Sequence, residues 1–332
     1  MSHNKIILIL GVVFLSFGSL LAKDYDSTHE LPEVRQPDKH RVYLRSTGSA
    51  GGLYIPEKDY LRNSDVSFML FNGATMYDLL MYTQQMPKYD GSANTRELEY
   101  RYQDKFRIFY ESRVLVNDKK QDDPYLAQFT ENKKSFGLAY FHPLNPHFSI
   151  GASLRRTSIN QMTNSGGISY EYIPPFAGSI MGISYLQFHD REAKLNFTGI
   201  VPGIHLEIKP LRWFEIHLGQ QFYNLKGNDS KVGFAAATVA GLGVATFGYS
   251  GGDATYTGTR QSIDFVFRFS SWFAAKWGYS KESMRVKYQN YLTLGNSPTA
   301  TLLYSAWDGS QTTKFDFTAL NFTLEFSKSF GE

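Results

Sequence analysis

Two histidines and two glutamates sit at alternate positions of one short stretch: His205 and Glu207 before Lys209-Pro-Leu-Arg212, then Glu215 and His217 after it. Alternate residues of a strand share a face. A hairpin centred on Leu211 sets His205 opposite His217 and Glu207 opposite Glu215, all on that face. Two imidazoles and two carboxylates so placed could bind a divalent ion such as zinc. They could also form a hydrogen-bonded network that titrates near neutral pH. The plainer reading is polar filler on an inward-facing wall.

Further charges recur with the same period of two. Glu97, Glu99 and Arg101 alternate with Leu98, Tyr100 and Tyr102, and Arg107, Glu111 and Arg113 with Ile108 and Tyr110. Arg155, Asp264, Arg268, Lys276 and Glu325 stand in similar settings. The signs are mixed, and an unpaired buried charge is costly. These residues are therefore expected to pair and to line a narrow or partly blocked path. Gly137, Ala139, Gly151 and Ser153 make one sector of that wall small-sided, which leaves local room.

Enzyme signatures are missing: there is no GxSxG, HExxH or Walker pattern. His189 and Asp190 have no spacing that makes them a catalytic set. No cysteine is present, which removes disulfides, thiolate chemistry and cysteine zinc sites. No cofactor is implied. The net charge of +3 comes without a Lys/Arg cluster of nucleic-acid type, so no nucleic-acid partner is expected.

Strands must position these residues. Ile200, Ile204, Leu206 and Ile208 lead into the turn at Leu211, and Phe214, Ile216, Leu218 and Phe222 lead out. Ile263, Phe265, Phe267 and Phe269 lead into Ser270-Ser271, and Phe273, Ala275, Trp277 and Tyr279 lead out. Trp213 and Trp272 each follow a turn, as an interfacial aromatic girdle requires. Turns near Asp104, Leu144, Leu211 and Ser270 are short. The segments between them, about 117–133, 157–193, 226–258 and 285–312, read as long loops. Short turns alternating with long loops are the pattern of membrane barrels, with the short ones periplasmic. Phe and Tyr, at 26 and 22 residues, give an aromatic-rich chain, yet it is too polar on average for a bundle of membrane helices. Val232–Tyr249 carries no charge and is long enough for a transmembrane helix, but its four glycines favour a loop or a strand extension.

Residues 1–22 read as a signal peptide, with Lys5 before an apolar run and Ala22 at the cleavage point. Residues 23–63 read as a periplasmic arm or plug segment, although Arg41–Arg45 could form a short strand. Val66, Phe68 and Leu70 suggest a first strand, and 74–86 a short helix ended by Pro87.

In the last stretch Leu320, Phe322, Leu324, Phe326 and Phe330 point one way while Asn321, Thr323, Glu325, Ser327 and Ser329 point the other. It resembles the closing strand of bacterial outer-membrane β-barrels, which ends in an aromatic preceded by alternate apolar residues. The resemblance implies that Phe322, Leu324, Phe326 and Phe330 form a membrane-insertion signal read by the barrel-assembly machinery. It implies an all-β transmembrane antiparallel up-and-down barrel over residues 64–332, with about ten strands (eight to twelve), in the outer membrane and in contact with its lipid. Glu97, Glu99, Arg101, Arg107, Glu111, Arg113, Arg155, Asp264, Arg268 and Lys276 would line the lumen. By resemblance to porin-like barrels, the expected role is passage of small polar solutes. The alternatives are a non-conducting barrel whose long outer loops bind a partner, and a barrel enzyme acting on lipid.

Overall fold

The computed structural model describes residues 39–54, 89–117, 127–173, 183–239, 242–295 and 312–330. They form ten strands: β1 (His40–Tyr54), β2 (Tyr89–Tyr102), β3 (Phe106–Asn117), β4 (Ala127–Asn145), β5 (Phe148–Ile173), β6 (Ile183–Leu211), β7 (Phe214–Val239), β8 (Leu242–Arg268), β9 (Phe273–Gly295) and β10 (Thr312–Phe330). Each pairs antiparallel with its neighbours in sequence, and β10 closes on β1 with His40 opposite Phe330 and Leu44 opposite Phe326. The closed ten-stranded barrel leaves no open sheet edge.

The first strand differs from expectation. β1 lies inside the stretch read as an arm, so the barrel begins at His40 and not near residue 64. The expected strand at Val66–Leu70 and the expected helix at 74–86 lie outside the described residues, as do residues 1–22.

The short turns have local causes. Gln103 and Asp104 both adopt positive φ (51° and 54°), and the Lys105 N–H donates to the Tyr102 carbonyl at 3.1 Å. That is a type I′ turn, whose twist suits antiparallel strands. Between β4 and β5, the Asn145 side-chain oxygen accepts from the N–H groups of His147 (2.8 Å) and Phe148 (2.9 Å). Between β8 and β9, Ser270 Oγ accepts from the Phe273 N–H at 3.1 Å.

The expected long loops are largely strand. β7 and β8 pair as far as Val239 opposite Leu242, so 226–258 is a hairpin and not a loop. β5 and β6 likewise pair to Ile173 opposite Ile183. Val232–Val239 and Leu242–Tyr249 are the far ends of β7 and β8, and no described helix is long and apolar enough to cross a membrane. β6 has 29 residues, whereas a tilted strand crosses a bilayer in about 9–11. The upper part of the wall therefore leaves the membrane.

The side chains record where it leaves. Near the short turns the outward residues are apolar and exposed: Ile150 and Leu154 on β5, Ile204 and Ile200 on β6, Trp277 and Tyr279 on β9, Phe326 to Leu320 on β10. Trp213 stacks on Phe267 and Trp272 on Phe326 at this rim. Farther along the same strands the outward residues turn polar: Asn160 on β5, Thr198 and Asn196 on β6, Asn224 and Lys226 on β7, Arg285 and Lys287 on β9. At that level the inward residues turn apolar: Ile159, Phe197, Leu225, Val286 and Phe315 are fully buried in one core. The barrel thus reverses its polarity part-way up.

Candidate functional site

The inward face of the short-turn half carries an ion-pair network. Arg45 sits at its centre, bonding Glu325 across the closing seam at 2.6 Å, Glu99 at 3.0 and 3.2 Å, and Glu97. Glu99 also takes Arg101, whose guanidinium lies 4.1 Å from the Tyr43 ring centre. Arg107 grips Glu207 with two bonds of 2.6 and 2.9 Å, a planar fork on a carboxylate. Glu215 holds Arg268, which reaches Glu325 at 3.2 Å, and Lys276 meets the same Glu325 at 2.8 Å.

A second tier stands above it. Arg155 bonds Glu111 at 3.3 Å, and Arg260 lies 3.6 Å from Glu111 and 3.3 Å from Glu282. Arg113 takes both oxygens of Glu282, at 2.6 and 2.8 Å, and also Glu131. Lys133 donates to the Tyr223 hydroxyl at 2.5 Å and lies 3.6 Å from Glu282. β3 and β8 stand five strands apart in a ring of ten, the widest separation the barrel allows. The Glu111–Arg260 pair therefore crosses the full width of the lumen. Above this tier a chain of rings crosses again, from Phe197 on β6 to Tyr256 on β8 (5.2 Å), to Phe315 on β10 (6.0 Å), to Phe129 on β4 (6.0 Å).

Between the tiers lies a cavity of about 200 Å³ lined by, among others, Arg155, His205, Gln221, Arg260, Asp264, Lys276 and Asn321. That volume holds several waters or a very small molecule. His205 lines it, and its Nε2 lies 2.8 Å from Ser153 Oγ. A serine bonded to an imidazole is the start of a nucleophile–base pair. Here no carboxylate orients the other ring nitrogen among the described residues, so no triad is formed.

The lumen charges read from the sequence all face inward. Glu99, Arg101, Arg107, Glu111, Arg113, Arg155, Glu207, Glu215, Lys276 and Glu325 are buried, while Glu97, His205, His217, Asp264 and Arg268 are partly so. The proposed zinc cluster does not assemble. β6 and β7 pair about residue 212, with a register irregularity between Ile208 and Leu211, so Glu207 faces His217 and His205 faces Gly219. His217 bonds Glu215 at 2.8 Å and stays 4.0 Å from Glu207, whose oxygens Arg107 occupies. Among the described residues no group of His, Asp and Glu could hold a metal. The small-sided sector is not open either. The Phe109 ring fills the space over Gly137 and the Phe141 ring that over Gly151, with Arg155 above Phe109 at 4.7 Å and Arg107 above Phe141 at 3.4 Å.

Arg45, Glu131, Lys133, Tyr223, Arg260 and Glu282 belong to the network and were not foreseen. Arg45 lay in the presumed arm and Glu131 and Lys133 in a presumed loop. The side chains of His189 and Asp190, on β6, lie outside those described.

An even-stranded, closed antiparallel barrel with a lipid-facing apolar band, an aromatic rim and a charged interior is an outer-membrane-type β-barrel. No known family and no curated protein matches the chain. Among solved structures it is similar to the outer membrane protease OmpT from Escherichia coli, at 10% identity over 92% of this chain and 100% of that one, with a TM-score of 0.39. It is also similar to a Pseudomonas aeruginosa FadL homologue, at 10% identity over 89% and 91% of the two chains, TM-score 0.34. LpxR from Salmonella typhimurium matches at 7% identity over 85% and 99%, TM-score 0.27. None of these likenesses assigns an activity to this chain.

Proposed function

We propose that the protein is a non-conducting barrel of the outer membrane whose working surface is the tall wall of β5–β8, held outside the membrane to bind a partner. One observation carries this reading: side chains bridge the lumen from wall to wall, by the Glu111–Arg260 and Arg113–Glu282 pairs and by the ring chain from Phe197 to Phe129. Porin-like passage of small polar solutes would require all these bridges to part together. In a partly buried site each close pair of opposite charges attracts by several times the roughly 1 kcal/mol it would have in water. The far half of the wall, with its apolar inside and polar outside, is built as a water-exposed structure needs to be.

The test is electrical. Refolded protein inserted in planar bilayers should show no steady openings at moderate voltage. Large, sustained openings of the unmodified protein would overturn the reading and restore the pore.

A further inference from the structure

The outward surface changes from apolar to polar abruptly on several strands, and the residue at the change is a cation. Beyond Leu98 the next outward residue is Arg96, beyond Phe136 it is Lys134, and beyond Leu154 it is Arg156. These three lie on β2, β4 and β5, close together. Arg96 pairs with Ser112, and Ser112 with Lys134, so the two cations flank one serine in a single cross-strand row. Neighbouring strands are about 4.8 Å apart, which sets their backbones roughly 10 Å apart. Lys134 pairs with Ser158, which makes Arg156 its diagonal neighbour, about 7–8 Å away.

All three side chains are exposed, and none makes a hydrogen bond or ion pair among the described residues. Among the described residues no acid offsets them: the outward residues of β3, β4 and β5 nearby are Val114, Val116, Asn132, Thr130, Ser158 and Asn160. Like charges set side by side on a sheet repel, so the patch is built for an anion from elsewhere. Its height identifies the source. Leu98, Phe136 and Leu154 lie below the patch, and the exposed Val114 and Val116 continue the apolar surface of β3 above Ser112. The cations therefore stand within the lipid boundary, at the depth of headgroups and not in open water.

We propose that Arg96, Lys134 and Arg156 form a binding patch for the phosphate groups of lipid headgroups in the leaflet facing the tall end of the barrel. The patch rests on the outward orientation of that end, but it does not depend on whether the lumen conducts. Basic residues at a membrane surface each contribute about one factor of five in affinity for anionic lipid. Three of them together amount to roughly a hundredfold.

The experiment uses the refolded full chain in uncharged detergent micelles, with diphosphorylated lipid A, its dephosphorylated form and inorganic phosphate as probes. The expected result is saturable binding of the diphosphorylated lipid that weakens with added salt. The R96Q/K134Q/R156Q variant should bind it roughly a hundredfold more weakly. R96K/R156K keeps the charges and should retain binding. Replacing Lys105, Lys209 and Arg212 with Gln, at the opposite rim, should leave it unchanged. Equal binding of the dephosphorylated lipid would overturn the proposal, as would unchanged affinity in the glutamine variant. Inorganic phosphate binding as tightly as the lipid would overturn the assignment to a lipid. Because no current is measured, these outcomes are separate from the conductance result.

Discussion

Along β10 the two halves of the barrel can be compared residue by residue. From Phe326 back to Leu320 the apolar side chains face outward. From Ala319 back to Phe315 they face inward. The strand does not bulge at this point: its pairing with β9 runs unbroken from Phe326 to Thr312. Only the parity of the apolar residues changes. β7 makes the same change between Phe222, which is outward, and Tyr223, which is inward. The hydrogen-bonded wall is therefore indifferent to its solvent, and the side-chain phase alone decides which half suits lipid and which suits water. The two halves also fill their interiors differently. The membrane half uses ion pairs and cation–aromatic stacks, and the upper tier of ion pairs reaches the lower edge of the outer half, whose remaining filling is an apolar core.

The largest expected effect tests how charges hold the tier where the two halves meet. Arg113→Ala removes the partner of Glu282 and Glu131 together. It should cost about 3–5 kcal/mol in urea unfolding of the refolded protein, because it leaves buried carboxylates uncompensated. A cost below about 1 kcal/mol would mean that water reaches that tier. Next comes the outer core. Phe315→Ala should cost about 3–5 kcal/mol, the range for deleting a ring from a packed interior. Phe322→Ala, facing lipid on the same strand, should cost clearly less, since lipid chains can fill the gap. Equal losses at the two positions would erase the distinction between the halves. The smallest effects compare two outward positions of β5. Ile150→Arg should cost about 2–4 kcal/mol in a bilayer. Asn160→Arg should stay within about 0.5 kcal/mol, as surface changes usually do. Similar values for both would place the membrane boundary elsewhere.

The membrane half was legible in the sequence because its pattern is simple. Apolar outward residues alternate with charges, and the short turns have recognisable residues. The alternation of Leu320 to Phe326 led to the closing strand, and the charges from Glu97 to Lys276 led to the inward face. The outer half was not legible for a physical reason. Above the membrane the outward residues are Asn, Lys, Thr and Ser, and many inward ones are small. Residues 226–258, rich in glycine and other small residues, consequently resemble a loop although they form a paired hairpin. The signal was present in the switch of parity at Phe222-Tyr223 and at Ala319-Leu320, where two large or apolar residues stand side by side. The four-residue zinc site failed at the turn itself, while His217 and Glu215 remain bonded. An irregularity between Ile208 and Leu211 moves the centre of pairing by one residue, which slides every partner by two. β1 was read only as a possible short strand at Arg41–Arg45, because Gly48, Ala50, Gly51 and Gly52 give the rest little apolar signal, and it borrows its order from β10 and β2.

Arg45 has a consequence for time as well as for structure. β1 and β10 are the two strands through which the sheet must open, and they come from opposite ends of the described barrel. Arg45 is anchored to Glu325 on one side of that seam and to Glu97 and Glu99 on the other. Its bond to Glu325 can form only after the last strand has docked on the first. It must then break before either strand can peel away. Such a late-forming clasp contributes little to the rate of closure and much to the barrier against reopening. The stability this arginine adds therefore shows in the lifetime of the closed ring and hardly at all in the speed of closing it.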